Sequence, residues 1–297
     1  GTLPVRLGRA GMRTCAVLLV AFTATGAYIF YNTNVLNTYR TSDDVVRLAL
    51  DYEQAYRQYE ALPQPRITDV KIDLDIFPAE RRYEARGTYV IENKTDAPIP
   101  QVHVGYGLDT IVRSQQLEGG SLVASDERLL HYIWQFDAPL EPRERRTLTF
   151  VVARENPGFR NASNVSSVVF NGTFFNNLES MPVLGFNSRR MLQDRATRRR
   201  YDLAPIDRMP PLEDDAAAGR NYIVADPDWM TFEATVSTSG DQIAIAPGTL
   251  QREWEENGRR YFHYRMDTPI LNFYAFLSAR YEVTEEQADG VRLQVFH

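Results

Sequence analysis

The stretch Asp69–Ile76, which reads DVKIDLDI, alternates charged and apolar side chains without a break. In an extended chain successive side chains point to opposite faces, so Val70, Ile72, Leu74 and Ile76 would share one face. The other face would carry three aspartates and a lysine. This period of two predicts a β-strand with one side on a hydrophobic core and the other in water.

Similar strand-like runs recur along the rest of the chain, separated by turn signals such as Gly119–Gly120 and the segment Asn93–Pro100. The sequence also contains 16 Tyr and 15 Phe, which strands favour. We therefore expect a mainly β fold, an antiparallel sandwich. The predicted strands are Tyr83–Asn93, Gln101–Tyr106, Leu129–Phe136, Thr147–Ala153, Trp229–Thr238, Gln242–Ala246, Arg260–Met266, Leu271–Val283 and Val291–Phe296.

An uncharged stretch near the N-terminus precedes the strands. No charged residue occurs from Thr14 to Tyr39, and about 20 apolar residues are what a bilayer core requires. We expect residues 14–36 to form one transmembrane helix. Arg6, Arg9 and Arg13 precede it, so the positive-inside rule puts residues 1–13 in the cytoplasm and the rest outside. The alternative is a cleaved signal peptide.

Between the apolar stretch and the strands lies a second helical pattern, Ser42–Leu62, within a predicted helical linker of residues 37–65. Thr41 or Ser42 can cap its N-terminus, and Pro63 stops it. Apolar residues recur at helical spacing and predict one apolar face. That face could pack on its own domain or bind a partner. It consists of Val45, Leu48, Ala49, Tyr52, Tyr56 and Tyr59.

Residues 66–297 form the predicted β-domain, with an irregular insertion near 181–226 that contains a basic run and, as we expect, one short helix near 189–200. A net charge of −6 excludes a global nucleic-acid footprint. A basic run is usually a solvated face, and contact with anionic lipid or a partner is the alternative. The run consists of Arg189, Arg190, Arg195, Arg198, Arg199 and Arg200.

Catalytic motifs are absent from the sequence. The histidines His103, His131, His263 and His297 are far apart in the chain, and the only cysteine, Cys15, lies in the apolar stretch. No H-E-x-x-H helix, G-x-S-x-G elbow or P-loop occurs. We expect His103, His131 and His263 to be sheet residues and not metal ligands.

The second half of the chain carries an ordered set of motifs. They are NGTFFNNL at 171–178, MPVLGFN at 181–187, DQIAIAPG at 241–248, YFHY at 261–264 and PILNFYAFLSARYEV at 269–283. With these motifs, residues 66–297 resemble the N-terminal β-domain of M1-family (gluzincin) zinc aminopeptidases. More narrowly, they resemble the bacterial branch in which the peptidase is fused to an ABC transporter permease.

This resemblance implies a saddle-like β-sandwich that packs beside a thermolysin-like catalytic domain. It also implies that a Glu or Gln of this domain binds the α-amino group of a peptide substrate, and the candidate is Glu179. The zinc ligands would lie beyond His297, so no cofactor is expected in these residues. The implied partners are the membrane, the catalytic domain of the same chain, peptide substrate and an ABC transporter ATPase subunit; nucleic acid is not among them.

The sequence and the resemblance lead to two candidate functions. In the first, the chain is a fragment cut at both ends: the non-catalytic domain and inner-membrane anchor of a permease-linked zinc aminopeptidase, with its β-domain in the periplasm. In the second, it is a membrane-tethered β-sandwich that serves a transporter as a binding or coupling module, without peptidase activity. Fold alone does not separate the two.

Overall fold

A computed structural model describes residues 3–161, 167–206, 211, 213–215 and 228–297. Parts of the predicted insertion, residues 207–210, 212 and 216–227, lie outside the described residues. The chain divides into two compact units. One contains residues 1–44 and 156–165, and the other contains residues 45–155 and 166–297.

The secondary structure consists of one long helix, several shorter helices and many strands. The α-helices are α1 (Leu3–Phe30), α2 (Ser42–Tyr56), α3 (Asn177–Ser180) and α4 (Arg195–Arg200), with a π-helical turn at Tyr31–Val35 and 3₁₀ turns at Arg57–Tyr59, Pro78–Glu80 and Ser188–Arg190. The strands are β1 (Arg66–Phe77), β2 (Arg82–Glu92), β3 (Ile99–Gly105), β4 (Ile111–Leu117), β5 (Gly120–Asp126), β6 (His131–Leu140), β7 (Arg145–Glu155), β8 (Thr173–Asn176), β9 (Val183–Leu184), β10 (Trp229–Ser239), β11 (Ile243–Ile245), β12 (Thr249–Glu256), β13 (Arg259–Arg265), β14 (Ile270–Leu271), β15 (Ala275–Ala279), β16 (Val283–Ala288) and β17 (Val291–Phe296).

The first unit is built on α1. Helical geometry is interrupted at Gly8, whose φ is 60°. From there to Val35 the helix is long and apolar enough to cross a membrane, with a mean hydropathy of 1.7 over its most apolar 18 residues. Apolar side chains in the middle of this helix are exposed: Val17 by 67% and Phe22 by 76%. Such a helix is stable in an apolar environment and costly in water.

The segment after β7 contacts the C-terminal end of this helix. Asn37 Nδ2 donates hydrogen bonds to the carbonyl oxygens of Pro157 (2.8 Å) and Asn32 (2.9 Å), and its Oδ1 accepts one from Arg160 Nε (3.0 Å). Gly158 has a φ of +57°, and a Cβ there would overlap the Asn32 side chain. Only glycine therefore fits at this point without strain.

The second unit is dominated by an eight-stranded sheet, in which seven strands follow the order β12-β13-β10-β1-β2-β7-β4 and β14 pairs with β10. Strand β1 lies near its centre, as the alternation around Asp69–Ile76 requires. Val70, Ile72, Leu74 and Ile76 are at most 2% exposed. The predicted hairpin with the Tyr83–Asn93 segment is confirmed by the antiparallel pairing of β1 with β2.

Three smaller sheets complete the described structure: β5-β6-β3-β9, β11-β15-β8 and the β16–β17 hairpin. Buried side chains from the large sheet and the first two of these form one hydrophobic core. The prediction of a mainly β fold with antiparallel sheets is thus confirmed. One pairing is different, because β1 and β10 run parallel over Asp69–Asp75. Parallel neighbours need a long crossover, and 151 residues separate the two strands.

Some predicted strands differ from the observed ones. Leu271–Val283 is not one strand but parts of β14, β15 and β16, with a bend at Asn272–Phe273. Strands β4, β5, β8, β9 and β12 were not predicted, and of β16 only Val283 lay in a predicted strand. Helix α2 ends at Tyr56 instead of Leu62 and continues as a 3₁₀ turn.

Helix α2 is held on the β-domain by a buried ion pair. Arg198 of α4 donates two hydrogen bonds of 2.8 Å to the Glu53 carboxylate, and the side chains are 1% and 2% exposed. Arg198 also donates to the carbonyl oxygens of Leu192 and Ala204. Burial raises the pKa of Glu53, but the Arg198 hydrogen bonds and charge outweigh it and hold this pKa below its usual value.

We predict that Arg198→Met destabilises the protein by about 3 kcal/mol, because it leaves the Glu53 charge buried with only Arg57 beside it. Urea denaturation followed by circular dichroism measures the change. The matched control is Arg199→Met at the exposed neighbour, which should change stability by less than about 0.5 kcal/mol. A similar small loss for both variants would contradict the role of the ion pair.

Candidate functional site

The candidate residue Glu179 lies on the one-turn helix α3, between β8 and β9, and its side chain is exposed. Within the described part of the chain, no hydrogen bond or ion pair involves its carboxylate. The turn itself is firmly held. Asn176 caps it by accepting a hydrogen bond from Leu178 N at 3.0 Å.

Asn177 fixes the turn to the strands that follow β13. Its side chain is buried and accepts a hydrogen bond from Tyr274 N at 3.1 Å, and its Nδ2 donates to Asn272 O at 3.2 Å. The backbone amide of Asn177 donates to Tyr274 O at 3.0 Å. Met181, at the other end of the turn, is 1% exposed. A free carboxylate is thus presented by a backbone that has little freedom to move.

A glycine allows the loop after β3 to approach this turn. A Cβ on Gly107 would lie 2.5 Å from the carbonyl oxygen of Glu179, which is closer than atoms of this type approach. The absence of a side chain at Gly107 therefore sets the position of the Glu179 backbone.

The structure brings together two histidines that are 28 residues apart. His103 Nδ1 and His131 Nε2 are 3.0 Å apart, within hydrogen-bond distance, and both side chains are 1% exposed. The other ring nitrogens, His103 Nε2 and His131 Nδ1, are buried without a partner among the described residues. As predicted, both histidines lie in strands, β3 and β6. Their pairing was not predicted.

Aromatic rings from helix α2 and the 3₁₀ turn that follows it, together called the α2 segment (residues 42–59), cover the pair. The Tyr56 ring centroid lies 3.8 Å from that of His131, and the Tyr59 centroid lies 4.5 Å from that of His103. Burial lowers the pKa of His103 to about 4. Burial, followed by the neighbouring His103 and Arg190, lowers that of His131 to about 3. Both imidazoles are therefore neutral near pH 7.

The basic run is not a uniformly solvated face. Arg198 is buried against Glu53, and the Arg190 guanidinium lies 4.1 Å from the Tyr52 ring centroid. Burial lowers the pKa of Arg190. Arg195, Arg199 and Arg200 are exposed on α4, which forms within the stretch where a short helix was predicted. The prediction of a solvated basic run is therefore wrong for Arg190 and Arg198.

A cleft of about 590 Å³ separates the β16–β17 hairpin from β11, β12 and β13. Its walls combine aliphatic and aromatic side chains with charged ones: Glu285, Arg292 and the ion pair between Arg260 and Glu253. Neither Glu179 nor a histidine lines it. The cleft offers no group with an obvious catalytic role.

Zinc does not fit the described residues. In that part of the chain, no three His, Cys, Asp or Glu side chains converge to hold a metal ion. The histidine pair supplies two nitrogens but no third donor, and a zinc site needs at least three protein ligands.

Sequence reasoning missed the histidine pair because the pairing depends on register. Gly105 lies opposite His131 and His103 opposite Ile133 across β3 and β6. The strands Gln101–Tyr106 and Leu129–Phe136 were predicted, but their alternation gives no offset between them. The antiparallel pairing with this register places the two rings on one face and beside each other.

No protein-family model matches this sequence, and no curated protein sequence matches it. Among solved structures, the chain is similar to an M1 zinc metallopeptidase from Deinococcus radiodurans, at 15% identity and a TM-score of 0.48 over 78% of this chain and 47% of that one. A mutant of that enzyme bound to a Tyr-Ser-Ala substrate matches at 15% identity and a TM-score of 0.47, over 78% of this chain and 46% of that one. A two-domain M1 mutant bound to L-tryptophan gives 14% identity and a TM-score of 0.47, over 78% and 47%. The chain thus spans less than half the length of these structures.

Proposed function

We propose that this chain is the non-catalytic N-terminal part of a membrane-anchored, M1-like zinc aminopeptidase. In this proposal Glu179 binds the free amino group of the peptide substrate. The observation that carries it is the exposed Glu179 carboxylate, which has no partner among the described residues, on a turn that Asn177 holds in place. The M1-like motifs in the sequence supply the substrate class.

Glu179 has the chemistry that this role needs. A carboxylate accepts charge-assisted hydrogen bonds from an ammonium group, and these are about twice as strong as neutral ones. Because no side chain in the described structure competes for it, the carboxylate is available without breaking an existing interaction. The fixed backbone also lowers the entropy lost on binding.

The remaining parts of the proposal concern the rest of the protein. The zinc and the group that activates water would belong to a catalytic domain elsewhere in the same chain. The resemblance to the permease-fused branch suggests a transporter permease, with its ATPase subunit as partner. In this arrangement the β-domain lies in the periplasm, and residues 14–36 cross the inner membrane.

A second candidate function is a membrane-tethered coupling module of a transporter. The observation that favours it is the buried Glu53–Arg198 pair, which fixes α2, the helix that follows the apolar stretch, to the β-domain. A rigid connection of this kind suits transmission of movement. It does not require any peptide binding at Glu179.

We predict that the chain in lipid nanodiscs binds trialanine weakly, and that Glu179→Gln lowers the affinity about 10-fold. A hydrogen bond to a charged group contributes about 1.5 kcal/mol or more, which corresponds to that factor. Backbone amide shifts of Leu178 and Glu179 in NMR titrations report the binding. N-acetyl-trialanine, which lacks the ammonium group, should leave these shifts unchanged.

Glu255→Gln is the matched control, since Glu255 is an exposed glutamate on β12. It should leave trialanine binding unchanged. Equal binding of the acetylated and free peptides, or an unchanged affinity in Glu179→Gln, would reject recognition of the amino group and favour the coupling module.

A third prediction concerns the position of the turn. Gly107→Ala should weaken trialanine binding although it leaves Glu179 in place, because the new Cβ displaces the Glu179 backbone. The control is Gly105→Ala, whose Cβ would meet no atom closer than 3.6 Å. The same titration measures both variants, and equal affinities would show that binding does not depend on the turn.

Membrane topology can be tested with single cysteines in a Cys15→Ser background. Ala124→Cys on exposed β5 should react with a membrane-impermeant maleimide in intact spheroplasts. Ala10→Cys, before the apolar stretch, should react only after permeabilisation. Labelling in the opposite pattern, or release of the domain as a soluble protein, would contradict the anchor and its orientation.

A further inference from the structure

We propose that the buried His103–His131 pair forms a pH-sensitive contact with the α2 segment. Protonation of the pair releases this segment from the β-domain. The inference concerns how α2 is held and does not depend on the proposed peptide binding. It stands on the position of the pair between α2 and the strands β3 and β6.

The pair closes the space beneath α2. The rings of Tyr56 and Tyr59 lie against the two imidazoles at interplanar angles of 34° and 49°, and the Tyr52 ring centroid lies 5.9 Å from that of His131. The pair is 3.0 Å apart, and each ring has one further nitrogen that is buried and unpaired. The histidines are therefore packed as neutral groups, with no carboxylate of the described residues hydrogen-bonded to either ring.

Adding a proton converts the unpaired acceptor nitrogen into a buried N–H of a cation. No acceptor in the described structure can receive that N–H. A buried, unsatisfied charge is among the most destabilising features that a fold can have. Exposure to water removes this penalty, and the rings that lie against the two imidazoles belong to the α2 segment.

The surrounding charges do not remove the penalty. On the α2 side the titratable groups are Tyr52, Tyr56 and Tyr59. The Tyr56 hydroxyl donates to Asp126 of β5 at 3.1 Å, and that carboxylate favours a charged His131. The guanidinium of Arg190, from the turn Ser188–Arg190, opposes the charge.

The Tyr56 ring would attract an imidazolium by a cation–π interaction of about 2 kcal/mol at most. Burial is the larger effect, because it holds the pKa of both histidines more than two units below the ordinary value of about 6.5.

The direction of the pH effect follows from these pKa values. With α2 packed over the pair (the closed state), the pKa values of both histidines lie below the ordinary value. With α2 released (the open state), both pKa values are ordinary. The closed state is therefore fully favoured above pH 6.5 and loses stability as the pH falls towards 4. From pH 7 to pH 5 the open population should rise by about 25-fold for each exposed histidine.

Hydrogen exchange of the full chain in nanodiscs tests the proposal. Protection factors of amides in Asp51–Tyr59, corrected for intrinsic exchange rates, should fall at least 10-fold between pH 7 and pH 5. Amides of the central strand β2 should change far less over the same range. Unchanged protection of Asp51–Tyr59 would overturn the proposal.

Two variants separate the pair from other titrations. The double variant His103→Leu/His131→Met keeps apolar packing without titrating groups, and its α2 protection should no longer depend on pH. His263→Gln removes a histidine that pairs with Glu233 on the sheet surface, and the response should persist. An unaltered response in the double variant would overturn the proposal.

If the double variant does not fold, the titration of the wild-type rings decides. NMR of the imidazole Cε1–H groups should show two histidines that stay neutral down to at least pH 5 while α2 is closed. Two rings that titrate near pH 6.5 with α2 still protected would show that the charge is tolerated, and the proposal would fail.

Discussion

The contact between Glu53 and Arg198 is the interaction on which the arrangement of the second unit's helices depends. Glu53 is a charged residue in a helix position that packs inward, and Arg198 belongs to a helix of only six residues. Neither charge could be buried alone, so each helix needs the other to be stable in its place. A six-residue helix has little stability of its own. Here, five hydrogen bonds from the Arg198 guanidinium to Glu53 and to the carbonyl oxygens of Leu192 and Ala204 also fix the irregular chain around it.

The apolar face of α2 contains tyrosines whose hydroxyl groups bond to polar groups of the β-domain. Tyr52 is buried, and its hydroxyl accepts a hydrogen bond from Asn187 N at 2.9 Å. Tyr56 reaches Asp126 with its hydroxyl and covers His131 with its ring. A leucine would bury comparable surface but leave these polar groups unsatisfied. The cluster under α2 is thus a polar network enclosed by aromatic rings.

Sequence alternation predicted the strands that have one buried and one charged face, such as β1, β2 and β10. It missed β4, β5 and β12, where nearly all side chains are exposed or half-buried and the apolar signal is weak. Alternation alone could not predict contacts between residues that are far apart in the chain. The parallel pairing of β1 with β10 and the meeting of His103 with His131 depend on topology and register. Glu179 was identified from a resemblance, and its role stays a prediction.

The β16–β17 hairpin shows most clearly what alternation leaves open. It predicted a strand at Val291–Phe296, and β17 confirms it. In a domain strand the apolar face normally contacts the core. Here Val291, Leu293 and Val295 are 58%, 48% and 59% exposed, whereas Arg292 and Gln294 line the cleft. No residue of the hairpin belongs to the described hydrophobic core. Since no hairpin residue belongs to this core, contact with the core does not explain why Val291, Leu293 and Val295 are apolar. A period of two thus identifies the strand, but the rest of the structure determines which face is covered.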